Sequence, residues 1–174
     1  MFGNKVSIEE KNAAREKLSA SFGAVEEIDN IPVKEFMIKW LSAFAPDMSV
    51  YDAKSFCLPK LFVKNYLWHA FSFQKTDCYL EDDAAEAYGE GFEGPCYVLL
   101  NREGILVRVA DGKSLTQEKV KEFDNIIVFT EDYSETFVCT GNEEFGPYYK
   151  SAEMAVADGS EPIEPEDTAE PEEE

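Results

Sequence analysis

Four apolar runs in the second half of the chain constrain the fold most. Cys96–Asn101 and Ile105–Ala110 are joined across Arg102-Glu103-Gly104, and Ile126–Thr130 and Thr136–Thr140 are joined across Glu131-Asp132-Tyr133-Ser134. Runs of this length, rich in β-branched and aliphatic residues and bounded by turn residues, read as strands, and the short connections make each pair a hairpin. Between the hairpins lies only a short helix, capped by Ser114-Leu115-Thr116 and reaching about Phe123. An antiparallel meander with one inserted helix lacks the regular strand–helix alternation of a doubly wound sheet.

Helices precede this meander. Ser7-Ile8-Glu9-Glu10 is a capping box that opens a helix to about Ser21; the serine hydroxyl and the glutamate carboxylate each satisfy a backbone N–H that the helix end leaves open. Ala14, Leu18 and Phe22 give that helix only a narrow apolar stripe, which predicts loose docking. Pro32 suits a first helical turn. Val33, Phe36, Met37, Trp40, Leu41 and Phe44 then recur at helical spacing and mark a main core element, stopped by Pro46. Residues 51–58 predict a short helix closed by Pro59. From Leu61 to Phe73 the aromatic content predicts a central strand, with Leu67, His69, Phe71 and Phe73 on one face and Tyr66, Trp68 and Ser72 on the other. Asp82–Tyr88 reads as a short acidic helix, broken by Gly89, Gly91 and Gly94-Pro95.

The expected class is therefore α+β, with N-terminal helices packed on a mainly antiparallel sheet of about five strands. The expected divisions are an N-terminal helix over residues 1–30, an α+β domain over 31–150 and an acidic tail over 151–174. The tail has no apolar face to offset its ordering entropy and is expected to be disordered. A chain of 174 residues is long enough for one proper core. No apolar run approaches the roughly 20 residues that cross a bilayer. Met1-Phe2-Gly3-Asn4-Lys5 leads into charged sequence without the apolar segment of a secretory signal, so a cytoplasmic location is expected.

Cys57, Cys78, Cys96 and Cys139 are widely spaced and form no C-x-x-C pair, which favours reduced thiols over zinc or a disulfide framework. Glu81-Asp82-Asp83 lacks the alternating ligands and the glycine of a calcium loop. Gly89, Gly91 and Gly94 have the spacing of a dinucleotide loop, but they follow a helix and precede a strand, and Glu90 and Glu93 would repel a pyrophosphate. No cofactor or metal is expected.

Charge is the remaining signal. Of the net −20, residues 1–75 contribute almost nothing, with ten basic and nine acidic side chains, whereas residues 76–174 carry six basic and 27 acidic ones. Residues 76–101 and 122–149 contain no Lys or Arg, and nine acids lie in the tail from Asp158 onward. Such a field disfavours nucleic acid and anionic membranes and attracts a basic protein, a nuclease or another nucleic-acid-binding protein being the natural class. The expected function is an acidic binding or inhibitor protein of immunity-protein or nucleic-acid-mimic type. Its candidate contacts are Glu81, Asp82, Asp83, Glu86, Glu131 and Asp132, with Tyr148 and Tyr149 as aromatic anchors. The segment Phe145–Tyr149 also reads as a lid on the core. Two other readings stand beside this one. His69 with a thiol from Cys78 or Cys96 suggests a small enzyme or ligand-binding domain, because a thiolate nucleophile needs an adjacent base. Acidity that serves only solubility is the other.

Leu67-Trp68-His69-x-Phe71-Ser72, Cys96-Tyr97-Val98, the strand pair around Ile127–Val138 and Gly146-Pro147-Tyr148-Tyr149 together resemble an uncharacterised bacterial family, domain-of-unknown-function family 4275, over roughly residues 33–149. The resemblance implies a small bacterial or phage-borne domain. It carries no activity and assigns no site residues.

Overall fold

A computed structural model describes residues 6–58, 65–74, 76–142 and 144–152. Seven strands, β1 (Glu26–Glu27), β2 (Tyr79–Leu80), β3 (Cys96–Leu100), β4 (Ile105–Val109), β5 (Ile126–Thr130), β6 (Glu135–Cys139) and β7 (Tyr148–Ser151), form one antiparallel sheet in the order β1-β4-β3-β5-β6-β7-β2. The helices are α1 (Ile8–Phe22), α2 (Val33–Phe44), α3 (Val50–Asp52), α4 (His69–Ser72), α5 (Glu81–Tyr88) and α6 (Gln117–Val120), and a π-helical turn over Ala53–Cys57 continues α3. The chain is α+β, and both hairpins lie where their turns place them, with Val98 opposite Val107 and Val128 opposite Phe137. Four of the five expected strands form, and β7 with the two-residue strands β1 and β2 extends the sheet at its margins to seven. Very short outer strands also limit edge-to-edge association.

Alternation along the strands creates two cores. Val98, Leu100, Val107, Ile126, Val128 and Phe137 meet Leu18 and Phe22 of α1, Ala84 and Tyr88 of α5, and Val120 of α6 on what we call the first face. Leu99, Leu106, Ile127, Phe129 and Val138 meet Phe36, Met37, Trp40, Leu41 and Phe44 of α2, together with Trp68 and Phe71, on the second face. Helices thus cover both faces, and β5, buried at every residue, reads as an unbroken apolar run for that reason.

The Ser7 capping box forms as the sequence requires: the Glu10 N–H donates to Ser7 Oγ at 3.0 Å, and the Ser7 N–H donates to Glu10 Oε1 at 2.9 Å. Docking of α1 is firmer than its stripe predicts. Leu18 is fully buried, Phe22 stacks on Phe123 at 5.6 Å, and the Lys17 ammonium lies 4.4 Å over the same Phe123 ring. Its few apolar residues suffice because each meets an already formed wall of the first-face core.

The expected central strand over residues 61–73 is not what forms. Residues 61–64 lie outside the described residues, Leu67 and Trp68 form a turn, and His69–Ser72 is helical. Leu67, Trp68, Ala70 and Phe71 are buried while Phe73 and Gln74 are exposed, a helical rather than an alternating pattern. Strand propensity measures fit to a pleated, half-buried surface. Here the segment joins no ladder: the Leu67 N–H donates instead to Asn101 Oδ1 at 2.8 Å, and the short helix packs onto the face of the sheet. Pro59 and the tail over residues 153–174 also lie outside the described residues. Among the described residues no helix is long and apolar enough to cross a membrane.

Of the glycines at 89, 91 and 94, Gly91 serves a close approach. A Cβ at Gly91, whose φ is 101°, would stand 2.6 Å from the Gly112 carbonyl oxygen, so the loop after α5 packs directly on the backbone around Gly112.

Candidate functional site

The acidic residues of the second half are organised by α5. Glu81 adopts a left-handed backbone (φ 52°) that turns the chain out of β2, and its N–H donates to the Pro147 carbonyl at 2.9 Å. One side of the helix buries Ala84 and Tyr88; the Tyr88 ring stacks on Phe137 at 4.0 Å and its hydroxyl donates to the Leu115 carbonyl. The Gln117 side-chain amide donates to the carbonyls of Ala85 and Gly89 at 2.7 Å each, satisfying acceptors that a helix C-terminus leaves open. The remaining surface exposes Glu81, Asp82, Asp83 and Glu86, and carboxylates in a first turn complement the helix dipole.

Two clefts hold candidate acids, and α5 lines one of them. One, of about 410 Å³, is lined by Glu81, Asp82, Lys121, Asn142, Phe145 and Pro147, among others. The other, of about 460 Å³, is lined by Glu93, Pro95, Thr130, Glu131, Asp132, Ser134 and Glu135. They lie at opposite ends of β6, a separation of about 13 Å at the usual rise per strand residue. In the second cleft Asp132 Oδ1 accepts from the Ser134 hydroxyl at 2.7 Å, the Thr130 hydroxyl at 2.8 Å and the Ser134 N–H at 3.1 Å. These bonds, the Ser134 hydroxyl first, hold the Asp132 carboxyl below its ordinary range, so it is ionised at neutral pH. Glu131 pairs with Arg108 at 2.7 Å, Glu93 with Lys113 at 3.3 Å, and Glu135 accepts from the Tyr149 hydroxyl at 2.7 Å.

The predicted acids fall in separate places: Glu81 and Asp82 line one cleft, Glu131 and Asp132 the other, and Asp83 and Glu86 are exposed on α5. Sequence reasoning missed Glu93 and Glu135; their only signal was membership of the two stretches without Lys or Arg.

Tyr148 and Tyr149, expected as exposed anchors, are buried at 3% and 7% exposure. Strand alternation sends them to opposite faces, Tyr148 against Phe71 at 5.4 Å and Tyr149 against Tyr79 at 5.9 Å. Tyr148 is covered by the turn and short helix that carry Trp68 and Phe71, and Tyr149 has Tyr79 of β2 beside it, neither of which the sequence revealed. The exposed apolar residues at this edge are Tyr79, Leu80 and Phe145.

His69 begins α4, with Nδ1 3.0 Å from Ser72 Oγ and its ring stacked on Phe73 at 4.7 Å and beside Trp68 at 4.3 Å. Burial pushes its pKa down, favouring the neutral imidazole. Cys96 belongs to the first-face core while α4 packs on the second, so the sheet separates that thiol from His69. Cys78 packs at the margin of the second-face core. Burial pushes Cys57, Cys78, Cys96 and Cys139 each up to about 12, which leaves them as thiols and weak nucleophiles at neutral pH. Among the described residues no group of three or more His, Cys, Asp and Glu side chains is arranged to hold a metal ion.

Trp68 joins two of the segments that carry the family resemblance. Its Nε1–H donates to Asn125 Oδ1 at 3.0 Å, and its ring meets Phe145 at 5.6 Å and Tyr148 at 6.4 Å. The Leu67–Ser72 and Gly146–Tyr149 segments thus pack together at the edge where the first cleft opens. No curated protein and no solved structure matches the chain. A family model does, that of the Domain of unknown function (DUF4275), over residues 16–149, from within α1 to β7. The chain belongs to the DUF4275 family.

Proposed function

We propose that this domain is a non-enzymatic binding protein that uses the carboxylates of α5 and of the two clefts to occupy a basic surface on a partner protein. The partner class is a nuclease or another nucleic-acid-binding protein, and the mode that of an immunity-type or nucleic-acid-mimicking inhibitor. The observation that carries the reading is that fixed elements hold carboxylates at two clefts and on α5: Glu81 and Asp82 in one cleft, Glu93, Glu131, Asp132 and Glu135 in the other, and Asp83 and Glu86 exposed on the helix. Tyr88 and Gln117 pin the helix from beneath, so the charges are held without the entropy cost of ordering a loop. A field with a large excess of one sign steers an oppositely charged partner and disfavours like-charged ones, although Arg108 and Lys113 neutralise part of it at Glu131 and Glu93. Solubility alone would need no fixed arrangement of the same charges.

The test uses the full chain as bait, followed by affinity measurement on a recovered partner. Affinity should fall steeply from about 50 to about 500 mM salt, as the Debye length shrinks from roughly 14 to roughly 4 Å. Combined reversal of Asp82, Asp83 and Glu86 to Lys should weaken binding by about tenfold or more. A partner whose affinity resists both salt and charge reversal overturns the proposal.

A further inference from the structure

A groove between α2 and the π-helical turn differs in kind from the two acidic clefts. It measures about 230 Å³ and is lined by Ile38, Leu41, Ala45, Val50, Lys54 and Leu58, among others. Leu41 and Leu58 are buried in it, whereas Ile38 is 47% and Val50 69% exposed, so two large aliphatic side chains meet solvent within one groove. Its wall is fixed: the Leu58 N–H donates to the Ala53 carbonyl at 2.9 Å, and the Asn65 side-chain amide donates to the Leu58 carbonyl at 2.9 Å. Uncovered aliphatic surface in a preformed groove is the usual form of a docking site. Lys54 is the charged side chain among the described lining residues, and Lys34 stands one turn before Ile38 on the same face of α2. Asp47 and Asp52 adjoin lining residues in the chain but are not in the lining themselves.

Charge and chain length decide what fits there. The two acidic clefts repel a segment rich in carboxylates, and this groove, with its lysines, does not. From Ala157 to the C-terminus the chain holds nine acids and a single large apolar residue, Ile163, set in Glu161-Pro162-Ile163-Glu164-Pro165. Prolines on either side favour extended backbone, which lowers the entropy cost of presenting one side chain. The reach is sufficient. β7 ends near the C-terminal end of α2, because the Lys150 ammonium donates to the Thr76 hydroxyl, which donates to the Phe44 carbonyl at 3.1 Å. That relay puts the Phe44 carbonyl within roughly 20 Å of Ala152, and Ala45, the next residue, lines the groove. The chain from Ala152 to Ile163 spans up to about 36 Å when extended. We infer that Ile163 seats in this groove between Ile38 and Val50, with Glu161 and Glu164 meeting Lys54 and Lys34. Docking there holds the acidic segment on the α2 side of the sheet, away from α5. The inference is independent of the binding role proposed above.

The test is NMR on the full chain, labelled at the Ile, Leu and Val methyl groups. Nuclear Overhauser contacts should join the Ile163 methyls to those of Ile38 and Val50. Ile163→Ser should remove these contacts and shift the resonances of Ile38, Leu41 and Val50. Unchanged resonances of Val98 and Val128 in the sheet check that the variant is folded. A peptide of residues 158–170, added to the Ile163→Ser chain, should return the groove resonances toward their original positions. Lys54→Glu should lower the ratio of docked to free segment about two- to fivefold, the scale of an exposed charge pair; an unchanged ratio would overturn the contact with Lys54. Groove resonances that do not respond to Ile163→Ser would overturn the inference outright. Groove contacts that weaken on dilution of the chain would show a second copy in the groove and would likewise overturn it.

Discussion

On the first face of the sheet, α1, α5 and α6 cover mainly aliphatic strand residues, with Tyr88 on Phe137 as the central aromatic stack. On the second face, aromatic rings meet one another repeatedly: Trp40 lies 5.4 Å from both Phe44 and Phe71, and Phe36 lies 5.2 Å from Tyr97. Polar groups are built into that second core, since the Trp40 Nε1–H donates to Thr136 Oγ1 at 2.9 Å and the buried Lys150 ammonium donates to Thr76. The outer surfaces differ as well. α5 carries four carboxylates and no base, whereas α2 to the π-helical turn is balanced, with Lys34, Lys39 and Lys54 against Glu35, Asp47 and Asp52. Yet the acidity does not belong to the first face as a whole, because α1 is balanced, with Lys11, Arg15 and Lys17 against Glu9, Glu10 and Glu16. The difference teaches that the cores and the charges are set separately. Strand alternation assigns the cores, while the surface field follows individual helices and turns.

The sharpest way to break the comparison is Trp40→Ala. It empties the centre of the aromatic core and leaves the Thr136 hydroxyl without its donor, so a loss of about 3–5 kcal/mol is expected by denaturant unfolding. Leu18→Ala on the first face should cost about 2–5 kcal/mol; a loss below about 1 kcal/mol would mean that α1 docks as loosely as its narrow stripe predicts. The smallest effect concerns pH. The unfolded chain protonates His69 near its ordinary value of about 6.5, whereas burial among Trp68 and Phe73 holds the folded value lower. The stability this contributes is complete above about 6.5 and is lost as pH falls through the folded value. The Asp132 and Glu10 carboxyls, both lowered, act only below about 4. A decline in melting temperature as pH falls below about 6.5 should therefore flatten in His69→Gln, and an unchanged slope would show that the ring is not held in the aromatic cluster.

Several elements were legible because their signals are local. The α2 pattern repeats with the helical period over three turns, the Ser7–Glu10 box is chemically reciprocal, and each hairpin carries both its strands and its turn in one short stretch. Residues 65–74 were not legible in this way, because an aromatic run satisfies an alternating pattern and a helical one with the same side chains. Only the absence of a ladder partner excludes the strand. β1 was equally hidden, since nothing in Glu26-Glu27 marks a strand until Arg108 and Val107 stand opposite.

The candidate site divides along the same line. By itself the sequence determined that the second half is acidic, that α5 carries a run of carboxylates, and that the chain is a two-hairpin α+β protein, because composition, period and turn chemistry are properties of neighbouring residues. The tertiary structure decided that Glu81 and Asp82 line one cleft while Glu131 and Asp132 line another at the opposite end of β6, since that depends on which ends of β6 the loops reach. It also decided that Tyr148 and Tyr149 are buried while Tyr79, Leu80 and Phe145 remain exposed. Burial is a property of what packs against a residue, and here Tyr148 lies against Phe71 and Trp68, and Tyr149 beside Tyr79 of β2.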